Sequence, residues 1–178
     1  MFAKPTKHGA VDVDPGPGLQ VGRPSQVDGG ALWRLARETG VLDVNSSYAY
    51  LLWTRDFAAT SVVARHRGDV VGFVSGYTRP DSPDTLFVWQ VGVDARHRGR
   101  GVARTMLDDL VGRGARFLET TVTATNEASI RLFGALARDH DVRHTREPLF
   151  TADLFPDRHE AEELHRLGPW PHPTPGVM

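Results

Sequence analysis

Residues 94–107, DARHRGRGVARTML, gather Arg96, Arg98 and Arg100 with Gly99 and Gly101 where strand-like sequence gives way to a helical pattern. Glycines lack a β-carbon, so a ligand can approach the backbone closely at such a turn. The first helical turn, from Val102 and Ala103, leaves N–H groups without intrahelical partners, and these form a ready site for phosphate. Arginine adds charge in a fork that matches phosphate oxygens. A pyrophosphate is the guest this corner predicts; the alternative is a solvated, glycine-rich turn.

Other phosphate and nucleic-acid chemistries fit less well. No Gly-Lys-Ser/Thr follows, and Arg104 stands where a dinucleotide fingerprint needs its third glycine, so nucleotide hydrolysis and dinucleotide binding drop away. An RG-type nucleic-acid patch is disfavoured because the arginines form one short cluster without interleaved aromatics, in a chain of net charge −1. The 178 residues include no cysteine, which rules out a thiol nucleophile, a disulfide or a thiolate metal site and suits a reducing cytoplasm. Ser75 in GFVSGY lacks the spacing of a nucleophile elbow. Among the eight histidines, His159 and His165 do not share a helix face and His140 and His144 straddle a helix end, so no metal is expected. No segment approaches the roughly 20 apolar residues that span a bilayer, and no apolar run follows the early lysines, so the expectation is an unexported, cytoplasmic protein without membrane association.

The elements that must position the corner follow from periodicity. GLQVGRPS reads as a strand; DGGALWRLARETG as a helix with Leu32, Leu35 and Ala36 inward, closed by Gly40; and SSYAYLLWTRDF as a short helix capped by Asn45 or Ser46. Two β-rich runs joined by a tight RGD turn, then DTLFVWQVGVD bounded by Pro83 and Asp94, predict three antiparallel strands. Val102, Met106 and Leu110, with Leu107 and Val111, give a helix after the corner; FLETTVTAT is a strand; and NEASIRLFGALARDH is a helix with Ile130, Phe133, Leu136 and Ala137 inward. Beyond residue 142 only a helix around 158–167 is read. One domain over 18–167 is expected between a flexible tail at 1–17 and a Pro-rich tail at 168–178.

RHRGRGVA resembles the acyl-CoA pyrophosphate loop of the GNAT N-acetyltransferases, with Arg96, Gly99 and Gly101 at its defining positions. VWQVGVD is similar to the strand preceding that loop, and TNEASIRLF, with Asn126, to the segment following it. The resemblance covers about residues 18–150. It implies an α/β fold whose mixed, mostly antiparallel central sheet is flanked by helices, acetyl-CoA as co-substrate, and direct attack by an amine without an acyl-enzyme. GVLDVNSSYAYLL, LFVWQVGVD, LETTVTATNEASIRLF and HEAEELHR further resemble the branch of this superfamily that acetylates L-2,4-diaminobutanoate at its 4-amino group in ectoine biosynthesis, an osmoprotective route, and that branch implies a homodimer.

The resemblance also distributes roles. Backbone N–H groups of Val91, Gly92 and Val93 would face the thioester carbonyl at a strand bulge. Asn126 and the helix it leads would lie along the cofactor, and Phe133 stands where many relatives carry a tyrosine that protonates the thiolate. The general acid is therefore open between Tyr48 and water. An amine of pKa about 10.4 must lose a proton before attack, and Glu119 is either the base or a surface strand carboxylate. For the acceptor, Asp43 would take an ammonium, Tyr48 would hydrogen-bond and Trp89 would form an apolar wall; capping, half-buried packing and sheet packing are their alternatives. His159 and Glu160 either close the pocket or lie on an exposed amphipathic helix. Other readings are the same fold acting on another small amine or amino acid, and a non-catalytic acyl-CoA-binding module, for which Phe133 is the only support.

Overall fold

The computed structural model describes residues 18–157 and 159–171. The chain runs β1 (Leu19–Gly22), α1 (Gly29–Thr39), α2 (Ser47–Asp56), β2 (Val62–His66), β3 (Asp69–Arg79), β4 (Ser82–Val93), α3 (Val102–Gly112), β5 (Phe117–Thr123), α4 (Glu127–Asp139), β6 (His144–Phe150) and β7 (Glu162–Leu167). The strands form one sheet in the order β1-β2-β3-β4-β5-β7-β6. All neighbours are antiparallel except β4 and β5, which run parallel because α3 carries the chain across the sheet between them. Local signals act as read: Arg67 and Gly68, at φ 54° and 92°, make the tight β2–β3 turn, and Gly40 at φ 67° closes α1. Ser46 caps α2, its hydroxyl accepting from the Ala49 N–H at 3.3 Å.

Each face of the sheet is covered by a helix pair. Met106, Leu107 and Leu110 of α3 and Phe133 and Leu136 of α4 pack on Val62, Val74, Leu86, Val88 and Leu118. Leu32, Leu35 and Ala36 of α1 and Tyr50 of α2 pack on Val63 and Phe73 on the other face. Each fully buried large apolar side chain contributes about 1.5–3 kcal/mol against exposure, so these two layers hold the sheet in register. Ile130, expected inward, is only partly buried at the edge of the first layer.

Two expectations at the C-terminal end need correction. The helix around 158–167 is instead strand β7, hydrogen-bonded on one side to β5 and on the other to β6. Alternation explains the difference: His165 and Leu167 are fully buried on the α4 face, whereas Glu162, Leu164 and Arg166 point to the opposite face. Within the tail expected at 168–178, Trp170 is instead packed on the fold. Trp170 is 7% exposed and belongs to the α3/α4 core, with its backbone N–H donating to the Arg116 carbonyl at 2.8 Å. The tail expected at 1–17 and residues 172–178 lie outside the described residues. Pro83 sits inside β4, near its start, rather than bounding it.

Candidate active site

The Arg-Gly corner joins the end of β4 to α3. Gly99 and Gly101 have φ of 72° and 75°, the left-handed region in which a side chain is strained. A β-carbon on Gly99 would meet nothing within 4 Å, so the dihedral angle rather than crowding requires glycine there. Gly101 is the N-cap of α3 and provides no capping side chain, so the first-turn N–H groups face a cavity of about 240 Å³ lined by Val93, Arg98, Gly99, Gly101, Val102 and Ala103. The arginines are not equivalent. Arg96 spends its guanidinium on Asp94, with Nε and Nη2 donating at 3.1 and 2.8 Å, and this holds the Asp94 carboxyl well below the usual carboxylate range. Arg98 donates to the carbonyls of Val93 and Thr39 and so ties the loop to β4 and α1. Arg100 is exposed and, among the described residues, neither it nor Arg98 forms an ion pair, so both charges add to the positive potential of the helix terminus.

Upstream, β4 leaves its parallel partner. Pairing covers Thr85–Phe87 against Phe117–Glu119 and then stops, although β4 continues to Val93 and β5 to Thr123. The β3–β4 register also shifts there: Ser75 faces Gln90 and Gly76 faces Val88, so Trp89 is an extra residue. The bulge therefore lies at Trp89 and not at the expected Val91–Val93. A bulge bends the strand and puts consecutive side chains on one face. Here Trp89 stacks on Trp53 of α2 at 4.4 Å between ring centroids, and Gln90 bonds Tyr50 of the same helix. Gly92 keeps β4 close to its neighbour, because a β-carbon would lie 2.5 Å from the buried Phe73 ring.

Two cavities meet at this splay. One, of about 280 Å³, lies between the separated strands and is lined by Val88–Val91, Thr120–Thr123 and, from α4, Asn126, Ser129 and Phe133. The other, of about 670 Å³, opens on the α2 face beside Tyr77, Phe87, Glu119, Leu149 and Phe155. Both are lined by Asp43, Trp89, Thr121, His159 and Glu162, which stand at the junction. His159 Nδ1 lies 2.7 Å from the Glu160 carbonyl, while its Nε2 is 3.7 Å from both Asp43 Oδ2 and Glu162 Oε1. The Glu160 carbonyl, then the Glu162, Asp43 and Asp157 carboxylates, favour the imidazolium and raise the His159 pKa against the effect of burial. Glu162 Oε2 is buried and has no hydrogen-bond partner among the described residues, so this carboxylate keeps unused acceptor capacity beside the junction.

The predicted residues separate accordingly. Asp43, Trp89 and His159 meet at the junction, Val91 lines the space between the strands, and Val93 lies at the arginine corner. Asn126 lines the first cavity while capping α4, its Oδ1 accepting from the Ser129 N–H at 3.1 Å. Phe133 forms part of the cavity wall and of the core. Glu160 lines neither cavity; its carboxylate accepts from Thr125 Oγ1 at 2.9 Å. Tyr48, 66% exposed, also lines neither. Glu119 does reach the larger cavity and is almost fully buried, but one oxygen accepts from Arg79 at 2.8 Å and the other from Arg166. With both oxygens engaged by guanidinium groups, Glu119 is an ion-pair centre joining β3, β5 and β7. Glu162 was missed because its segment was read as a helix; strand alternation in EELHRL was the signal. Among the described residues no group of three or more His, Asp or Glu side chains is arranged to hold a metal, and no helix is long and apolar enough to cross a membrane.

A parallel strand pair that opens over a glycine-rich helix entry is the architecture of an acyl-CoA-dependent transferase. A profile described as the acetyltransferase (GNAT) family matches residues 31–137, and the chain belongs to that family. It is 56% identical over 158 residues to the L-2,4-diaminobutyric acid acetyltransferase of Streptomyces coelicolor, covering 85% of this chain and 93% of that protein. It is 52% identical over 162 residues to the protein of the same name from Streptomyces avermitilis, covering 87% and 90%. Among solved structures, diaminobutyrate acetyltransferase EctA from Paenibacillus lautus, in complex with L-2,4-diaminobutyric acid and coenzyme A, superposes with a TM-score of 0.83 at 42% identity, covering 89% of this chain and 99% of that one.

The Glu119 geometry gives a first expectation. Glu119→Gln leaves two guanidinium groups without their shared counter-charge and should cost about 2 kcal/mol of stability, less than for a fully buried pair because both arginines reach solvent. Denaturant unfolding checks this; unchanged stability together with a large loss of turnover would return Glu119 to the role of base.

Proposed function

We propose that this protein transfers the acetyl group of acetyl-CoA to the 4-amino group of L-2,4-diaminobutanoate, giving N4-acetyl-L-2,4-diaminobutanoate in ectoine biosynthesis. The observation that carries the reading is the junction itself. A cleft between separated strands, suited to the cofactor's extended arm, opens onto a wider cavity whose shared wall combines Trp89 with Asp43, His159 and Glu162. The names of the relatives agree with this reading.

The chemistry follows from placement. The pyrophosphate rests on the N–H groups at Gly99–Ala103, with Arg100 nearby. The pantetheine arm runs along β4 beyond Phe87, where backbone groups without a β5 partner can bond its amides, and the thioester carbonyl faces the N–H groups of Val91 and Val93, which alternate with those turned toward β3. The acceptor enters from the wider cavity with its α-ammonium toward Asp43 and its reacting amine toward Glu162 and His159. The reacting ammonium first bonds the unpartnered Glu162 oxygen and gives one proton to His159 Nε2. The freed lone pair attacks the thioester carbon, a C–N bond forms, and the resulting oxyanion is held by the backbone donors. As the C–S bond breaks, the nitrogen loses its second proton to solvent water, since His159 already carries the first. Phe133 supplies no proton, and the imidazolium at the junction is placed to return one to the thiolate. The balance is amide, CoA thiol and one released proton.

A homodimer is part of this proposal. The exposed Leu149 and Phe150 on edge strand β6, with Leu154 just after it, support a second copy docking at that edge. A cytoplasmic location fits the absence of cysteine.

Three measurements test the proposal. Thiol release from acetyl-CoA should be strong with L-2,4-diaminobutanoate, weak with ornithine and lysine, and absent without amine, with NMR placing the acetyl group on N4; equal use of all three amines would remove the acceptor assignment. Activity should rise with pH through the His159 pKa, which lies above the ordinary 6.5. His159→Gln should lower kcat on the order of 100-fold and abolish that rise, and a retained acidic limb would exclude His159 as the base. Light scattering should give about twice the 19.6 kDa chain mass, whereas a monomer would contradict the dimer.

A further inference from the structure

Gln90 is the one polar side chain of the bulge buried toward α2, at 5% exposure, and both ends of its amide are in use. Tyr50 Oη, itself buried, donates to Gln90 Oε1 at 3.1 Å. Gln90 Nε2 donates to the backbone carbonyl of Asp43 at 2.7 Å. The amide orientation is unambiguous, since a carbonyl can only accept and so must face the NH2 end. Residues 40–46, between α1 and α2, have no regular structure. Besides the packing of Leu42 on the inner core, their hold includes this bond and a longer one from Asn45 Nδ2 to the same carbonyl at 3.5 Å. The Asp43 side chain is 90% exposed, and the contact found for it among the described residues is a long one, 3.7 Å to His159 Nε2. Its position therefore depends on how its backbone is held.

The bulge couples two outcomes. The extra residue that brings Trp89 to the wall of the acceptor cavity also puts its neighbour Gln90 beneath the Asp43 segment. We infer that Gln90 is a positioning residue: with Tyr50 it fixes the Asp43 backbone over the junction, so that carboxylate and indole are held in one spacing matched to a short diamino acid. This rests on the proposed acceptor chemistry. It assigns acceptor selectivity to a buried amide, acting through Asp43 and not by contact with substrate.

Gln90→Leu keeps the approximate volume and removes both bonds, Gln90→Glu keeps an acceptor for Tyr50 but cannot donate to Asp43, and Tyr50→Phe removes only the hydroxyl. The KM for L-2,4-diaminobutanoate should rise about tenfold in both Gln90 variants and about threefold in Tyr50→Phe, in each case by more than the acetyl-CoA KM, which Gln90 can also affect because it lines the cleft between β4 and β5. In an Asp43→Ala background, Gln90→Leu should add little further loss, because the two act through one contact. Amide hydrogen exchange over residues 41–45, read without substrates, should accelerate in Gln90→Leu; if that variant does not fold, Tyr50→Phe gives the same readout. Unchanged exchange overturns the clamp. Accelerated exchange with both KM values rising equally, or full additivity with Asp43→Ala, reduces Gln90 to a structural role and overturns the assignment. Absence of any turnover of L-2,4-diaminobutanoate by the wild type would instead defeat the proposed reaction, while the exchange result would still decide the clamp.

Discussion

Backbone hydrogen bonding between β4 and β5 lasts three residues, Thr85–Phe87, and the architecture of the site depends on its ending there. A buried strand normally satisfies its N–H and C=O groups on both sides, and a strand without a neighbour must bond to water or to a ligand. The antiparallel ladder with β3 holds β4 firmly on one edge while the other opens. The opening is stable because α3 and α4 bury Leu86, Val88, Leu118 and Val122 on both sides of it. Rigid packing beside unsatisfied backbone is what an extended, amide-bearing cofactor arm requires. The same continuous strand ends at the glycine corner, so the polar head and the reacting end of such a cofactor would be positioned by one element.

The bulge at Trp89 adds the second half of the site. Without it, β4 would send alternate residues to opposite faces, and Trp89 and Gln90 would not both turn toward α2. With it, the indole reaches the acceptor cavity and the amide reaches the Asp43 segment. The remaining groups arrive on β7, the strand inserted between β5 and β6, and on the segment before it, which together bring Glu162 and His159 to the junction. In the proposed reaction, nucleophile activation comes from the C-terminal part of the chain and cofactor binding from its centre, and the two cavities meet at Asp43, Trp89 and Thr121.

Most of the fold was legible in the sequence because local and global signals coincide up to residue 140. The 3.6-residue spacing of Val102, Met106 and Leu110, the β-branched run at 117–123, and the turn at Arg67–Gly68 each act within their own segment. The C-terminal end was read wrongly for a physical reason. HEAEELHR has helix-forming composition, and strand β7 is selected by pairing with β5 and β6, which no local window contains. The place of Glu162 at the junction follows from the same pairing. Glu119 was recognised as special, but its two arginines lie 40 and 47 residues away, beyond the reach of spacing arguments. The arginine corner was legible as a motif, whereas the ion pair of Arg96 with Asp94 and the anchoring of Arg98 on backbone carbonyls emerge only in three dimensions.

In the proposed reaction, the opened edge of β4 and the glycine corner together hold acetyl-CoA, with the acceptor across the junction. This arrangement is tested most directly by following backbone amide resonances during titration with acetyl-CoA alone and then with L-2,4-diaminobutanoate in the presence of CoA. The account predicts that acetyl-CoA shifts Val88–Val93 and Gly99–Ala103 together, and that the acceptor then shifts Asp43, Trp89 and Glu162. Saturable binding that left Val88–Val93 and Gly99–Ala103 unmoved while other surfaces responded would contradict it.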